Sequence, residues 1–146
     1  MKTLSQLLNE KGHQIFHIHP DASVFEAIQQ MADKGIGALL VLDDQHQLVG
    51  ILSERDYARK VILKGRSSKE TPVRDIMTRE VICASPRQTV EEAMALMTEK
   101  RIRHLPVMDK DHRLLGIVSI GDLVKSIIEE QRFIIEQLEH YIHQGT

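Results

Sequence analysis

Two segments of this 146-residue chain carry a hydroxyl and a carboxylate at the same spacing: Gly50-Ile-Leu-Ser53-Glu-Arg-Asp56 and Gly116-Ile-Val-Ser119-Ile-Gly-Asp122. Two kinds of chemistry fit them. A serine followed three residues later by an acid is a helix start, because the hydroxyl accepts from a free N–H of the first turn and the acid reaches back. The same groups can serve a ligand, since the N–H groups of a helix N-terminus favour an anion and a carboxylate accepts from two vicinal hydroxyls. A ribose phosphate presents both partners.

Other reactive groupings are sparse. His13, His17 and His19 suggest a metal, and residues 17 and 19 share one strand face, but no carboxylate or cysteine cluster accompanies them, so no metal is expected. The single Cys83 excludes an internal disulfide framework and reads as a small hydrophobe. No nucleophile elbow, glycine-rich phosphate loop or paired-acid pattern is present, so the chain does not read as an enzyme. The enzymatic alternative is a nucleotide hydrolase using His104. With 19 Lys+Arg against 21 Asp+Glu, three Phe, two Tyr and no Trp, the chain has neither the charge nor the aromatic surface for nucleic acid. No apolar run approaches the ~18 residues of a membrane span, and the N-terminus lacks the regions of a signal peptide. A soluble, cytoplasmic protein with no membrane partner is expected.

The elements that position the two Ser-x-x-Asp segments come from an internal repeat. Residues 15–59 align without gaps on residues 81–125, and 16 of these 45 positions are identical, among them Pro20/Pro86, Val24/Val90, Ala27/Ala93, Met31/Met97 and Gly50/Gly116. Ser23 with Glu26 and Thr89 with Glu92 read as capping boxes that open a helix in each copy. Val24, Ala27, Ile28 and Met31, echoed by Val90, Ala93, Met94 and Met97, recur at helical spacing and define one buried stripe. Gly35 suits the end of the first helix, whereas its counterpart Arg101 gives the second no evident cap. A strand, a polar turn and a strand follow (residues 38–42 and 48–53, then 105–108 and 114–119). A second helix is expected from about Asp56 and about Asp122, and a first strand before Pro20 and Pro86.

Each copy is therefore a β-α-β-β-α unit, and the fold class is α+β. One such unit is too small to bury a comfortable core alone, so two packed with pseudo-twofold symmetry are expected. Chain order divides them into residues 1–65, with an N-terminal helix, and residues 66–146, with a linker and a C-terminal helix. Residues 59–79 hold seven Arg+Lys and two acids and read as a solvated connection or, alternatively, a rim attracting phosphate or a partner. From Val124 to Tyr141 the pattern stays helical, with Ile127, Gln131, Ile134, Leu138 and Tyr141 at 4-3-4-3 spacing, a seam suited to a partner subunit.

These features together resemble tandem cystathionine-β-synthase (CBS) domains, the paired form of which is called a Bateman module. The resemblance rests on the twofold unit, on Asp75-Ile-Met-Thr78 opening the second copy, on Arg103-His104-Leu105-Pro106-Val107 and on the two Gly-aliphatic-aliphatic-Ser-x-x-Asp segments. It implies a stand-alone sensor of adenosine ligands (AMP, ADP, ATP, NAD(H) or S-adenosylmethionine) bound in two clefts. Asp56 and Asp122, with Ser53 and Ser119, would hold the ribose hydroxyls. Phe16, Ile18, Ile82 and Ala84 would surround adenine, which bonds the backbone of the first strand.

The family also places phosphates beside the residues before the Leu-Pro step of the opposite repeat. Arg103 and His104 would then face the ligand on Asp56, with Arg55 as a second cation. Read plainly, Arg103 is a surface arginine and His104 a hydrogen-bonded, partly buried histidine. The equivalent Gly37 and Ala38 carry no charge, so the clefts should differ. A homodimer and an unidentified regulated protein are the implied partners; the competing reading is an assembly module with vestigial clefts.

Overall fold

The computed structural model describes residues 1–144. Its elements are α1 (Leu4–Lys11), β1 (His17–Ile18), α2 (Val24–Lys34), β2 (Ala38–Leu42), β3 (Leu48–Ser53), α3 (Glu54–Tyr57), α4 (Val90–Lys100), β4 (His104–Met108), β5 (Leu114–Ser119) and α5 (Ile120–Gln144). The mixed α+β class and the C-terminal helix agree with the sequence reading. None of the helices described is long and apolar enough to cross a membrane.

Two compact units are present, one of residues Gln14–Ile82 and one of Met1–His13 with Cys83 onward. This division by packing differs from the division by chain order at residue 65. Helix α1 belongs with the second repeat, and residues 66–82 belong with the first. The hydrogen bonds give the reason. In the first unit Val24 N donates to Thr71 O (2.8 Å), Val73 N to Ala22 O (2.8 Å) and Arg74 N to Pro20 O (2.9 Å). In the second, Val90 N donates to Lys2 O (2.9 Å), Leu4 N to Gln88 O (2.8 Å) and Ser5 N to Pro86 O (3.0 Å). Residues 2–8 thus do for one unit what residues 71–77 do for the other. Each unit is closed by the segment that precedes the other repeat in sequence.

The expected solvated connection is corrected accordingly. Val61, Thr71, Val73, Ile76 and Met77 are all buried, and all but Thr71 join the first unit's core with Val24, Ala27, Met31, Leu39, Val41 and Leu52. Its basic residues stay at the surface around a buried apolar set. Leu4, Leu7 and Leu8 occupy the corresponding places in the second unit and are likewise buried.

Helix α2 starts at Ser23, whose hydroxyl accepts from Glu26 N, and ends at Gly35 in the left-handed region (φ 65°). The full reciprocal box forms at Thr89 and Glu92. Arg101 takes the same left-handed conformation (φ 57°) without being glycine, which supplies the second cap that its residue type concealed. Strands β2 and β3 pair antiparallel, as do β4 and β5, each pair with an irregularity at the equivalent step, Val41/Leu42 and Val107/Met108.

The first strands differ. Strand β1 runs parallel to β2, with Leu40 N donating to Phe16 O (3.3 Å). The counterpart of Leu40 is Pro106, which has no N–H to give Ile82, and the expected first strand of the second repeat shrinks to a single bridge between Ala84 and Val107. The second helices differ as well. Both begin directly after the serine, but α3 lasts four residues and passes into a wide turn at Ala58–Ile62, while α5 runs for 25.

Gly50 and Gly116 let the closing segments approach. A Cβ at Gly50 would lie 2.6 Å from Met77 Sδ, and one at Gly116 2.7 Å from Leu8 Cδ2. Gly116→Ala therefore destabilises the protein by about 1–3 kcal/mol through overpacking. The penalty shrinks in a Leu8→Ala background; denaturant titration of the two single variants and the double variant measures this coupling.

Candidate functional site

Each unit presents a serine and an aspartate where its last strand turns into a helix. In the first, Ser53 N donates to Asp56 Oδ2 (3.0 Å), Ser53 Oγ donates to the same oxygen (3.1 Å), and Asp56 N donates back to Ser53 Oγ (3.1 Å). In the second, Ser119 N donates to Asp122 Oδ2 (2.8 Å) and Asp122 N to Ser119 Oγ (3.1 Å). The helix-start reading is thus realised at both positions. The same bonds fix each carboxylate at a helix N-terminus, where the ligand reading needs it.

A lysine reaches each carboxylate. Lys60 Nζ lies 3.0 Å from Asp56 Oδ1, one helical turn on, and donates to Ile76 O (2.9 Å). Thr78 Oγ1 adds a bond to Asp56 Oδ1 (3.3 Å). Lys11, in the last turn of α1, lies 2.7 Å from Asp122 Oδ2 and donates to Ile117 O (2.6 Å). Sequence reasoning missed all three donors. The i,i+4 spacing of Asp56 and Lys60 was a readable signal. Nothing in the sequence joined Lys11 to a residue 111 positions away.

The structure divides the remaining candidates between the units. Gly37 and Ala38 stand beside the Asp56 helix start: Gly37 O accepts from Glu54 N (3.0 Å) and Ala38 pairs with Ser53. Arg103 and His104 stand likewise at the Asp122 helix start, where Arg103 O accepts from Ile120 N (2.9 Å) and His104 pairs with Ser119. Arg103 is exposed and His104 half-buried, and Arg55 is exposed on α3.

Phe16 and Ile18 pack against the first unit's core, with Lys34 Nζ 5.5 Å from the Phe16 ring centre. Ile82 is half-buried at the end of that unit. Ala84 is buried in the other; its N–H goes to Pro106 O (2.8 Å) and its carbonyl accepts from Met108 N (2.9 Å). Both backbone groups of Ala84 are thus engaged by β4, its N–H fully.

The histidines are dispersed. His13 contacts Leu115 O (2.8 Å) and Asn9 Oδ1 (3.1 Å), whereas His19 contacts Asp44 Oδ1 (2.8 Å) and accepts from Asp21 N (3.0 Å). Among the described residues no three His, Cys, Asp or Glu side chains are placed to share a metal. Cys83 is half-buried, and that burial pushes its thiol pKa up. An open hollow of about 510 Å³ lies among Met1, Lys2, Gln6, Glu10, Glu129, Glu130 and Phe133, and none of the candidate residues lines it.

Comparison with known proteins assigns this architecture. The sequence matches the CBS domain over residues 11–63 and again over 73–129, so the chain belongs to the CBS domain family and carries the domain twice. It is 42% identical over 151 residues to a mitochondrial CBS domain-containing protein of Arabidopsis thaliana, covering 98% of this chain and 73% of that one. It is 37% identical over 111 residues to inosine-5'-monophosphate dehydrogenase of Methanocaldococcus jannaschii; the match takes in 76% of this chain but 21% of the enzyme. A solved structure of a protein with CBS domains from Burkholderia ambifaria superposes with a TM-score of 0.84 at 51% identity, over 89% of this chain and 96% of the other.

The Asp122 carboxyl feels opposing influences. Partial burial acts to raise its pKa, but the donors from Lys11 and Ser119 outweigh it and hold the group below the ordinary aspartate value. A carboxyl depressed by folding adds stability above its unfolded pKa and loses it as pH falls toward the folded value. Asp122→Asn should lower stability at neutral pH and flatten the decline below about pH 5, measured as thermal midpoint against pH.

Proposed function

We propose that this chain is a regulatory sensor of adenosine ligands, with AMP, ADP, ATP or NAD(H) bound at the two Ser-x-x-Asp helix starts and occupancy signalled to a partner protein. The observation that carries the reading is the repetition of one arrangement. In both units a carboxylate is fixed on the N-terminus of a helix by the serine N–H three residues before it. An acceptor for a ribose diol beside a phosphate-favouring helix end matches a nucleotide's two recognisable parts. Membership of the CBS family supports the same ligand class.

The residues around the two sites make them unequal. Arg103, which can offer a planar fork to phosphate oxygens, and His104 flank the Asp122 helix start, whereas the uncharged Gly37 and Ala38 flank that of Asp56. No catalysis is proposed; the CBS pair acts as a binding module.

Assembly is the second part of the proposal. Val124, Ile128, Ile134, Ile135, Leu138, Tyr141 and Ile142 are all exposed on α5, while Leu123 and Ser126 turn into its own unit. The exposed set forms a stripe along about five turns. A second copy of the chain is the proposed occupant. A twofold pair would cover the same stripe on both copies at once. The exposed stripe also favours the alternative, a purely assembling module with vestigial sites.

Calorimetry with AMP separates the two readings. Asp56→Ala and Asp122→Ala should each weaken one binding event about 10- to 150-fold, the worth of a hydrogen bond to a charged group. A double variant that binds AMP as the parent does would refute the sensor sites. Light scattering of the parent should give twice the 16.7 kDa chain mass. Leu138→Glu should return the monomer with helical content unchanged, whereas a monomeric parent would discard the dimer.

A further inference from the structure

The Asp56 carboxylate is fully subscribed. Ser53 N and Ser53 Oγ donate to Oδ2, and Thr78 Oγ1 and Lys60 Nζ lie at donor distance from Oδ1, which fills the roughly four lone-pair sites of a carboxylate. A ribose diol brings two more donors and can bond Asp56 only if others leave. The Ser53 N–H is tied to the helix start and cannot withdraw without undoing it. Lys60 can: its side chain is 43% exposed against 14% for Asp56, its stem is flexible, and it keeps the Ile76 carbonyl as a partner.

The second unit also sets a lysine on its carboxylate, but at one oxygen: Ser119 N and Lys11 Nζ both reach Asp122 Oδ2. The counterpart of Lys60 in the repeat is Ser126, which is buried, and the cation at Asp122 comes instead from Lys11 of α1. That lysine also holds a carbonyl, Ile117 O, alongside the carboxylate. Two lysines from different parts of the chain reach equivalent aspartates.

We infer that Lys60 at Asp56, and Lys11 at the Oδ2 of Asp122, are internal competitors for the ribose hydroxyls, so that a nucleoside whose diol engages both carboxylate oxygens binds by displacing a lysine. This rests on the reading of the two aspartates as ribose ligands and adds a control of affinity to it. The two displacements have different consequences. Lys60 lies on the same short segment as Asp56, and its release stays local. Lys11 is in the last turn of α1, so its release removes a tie between α1 and the Asp122 helix start. Occupancy at Asp122 is thereby coupled to the N-terminal helix.

Adenosine is the probe, because it carries the diol and has no phosphate for a lysine to hold. Titration calorimetry in an Asp122→Ala background isolates the first site. There Lys60→Met should tighten adenosine binding about two- to fivefold, the worth of a partly exposed ion pair, and Lys60→Arg should not. Lys60→Gln replaces Lys60→Met if circular dichroism shows that the latter fails to fold. Lys11→Met in an Asp56→Ala background should behave likewise at the second site.

If removing the lysine leaves adenosine affinity unchanged or lowers it, while the remaining aspartate proves necessary for binding, the competitor role is overturned and the ribose reading survives. If adenosine binds equally well without both aspartates, or binds to none of the variants, the ribose reading fails and the competitor role with it.

Discussion

The hydrogen bond from the serine backbone to the carboxylate three residues later is the constraint on which both units depend. It ends the last strand, starts the helix and fixes an acid at the helix N-terminus in a single step. In the first unit this bond is 3.0 Å, from Ser53 N to Asp56 Oδ2. The strand pair and the buried face of α2 or α4 then hold this corner still. A site formed this way is made of backbone direction as much as of side chains, and so it recurs where neighbouring residues differ entirely, as Glu54 and Arg55 differ from Ile120 and Gly121.

The second organising feature is the exchange of closing segments. Residues 2–8 complete the unit of the second repeat and residues 71–77 that of the first, through matched backbone bonds onto Gln88 and Ala22 and onto Pro86 and Pro20. Glycine at 50 and 116 is required because Met77 and Leu8 press on those positions. Chain order and packing order therefore disagree, and neither repeat is complete as a contiguous stretch of sequence. Removing the N-terminal helix would open the core of the second unit, since Leu4, Leu7 and Leu8 are among its buried residues.

The electrostatics follow from the same exchange. In the first unit the acid is neutralised from within its own segment by Lys60; in the second the cation arrives on the exchanged helix α1. Partial burial of a carboxylate is costly unless such donors are supplied. The two CBS domains are alike in backbone at this corner and unlike in the groups around it. What this chain adds is that the acids a ligand would need are already engaged by lysines.

Sequence alone determined the repeat, the helix and strand order, the buried stripes of α2 and α4 and the two Ser-x-x-Asp corners, because each is a local pattern: a period, a cap or an identity at fixed offset. A first strand was expected equally in both repeats; its weakening in the second follows from the N–H that Pro106 lacks and showed only in the pairing. Tertiary structure decided the rest. No identity links residues 2–8 to residues 71–77; only apolar residues at Leu4/Val73, Leu7/Ile76 and Leu8/Met77 correspond, too few to align without the hydrogen bonds that equate them. The left-handed Arg101 was invisible because a folded context imposed on arginine a conformation that local preference assigns to glycine. Lys11 meets Asp122 only because α1 docks on β5, so a contact across 111 residues was set by packing and by no spacing that a single chain displays.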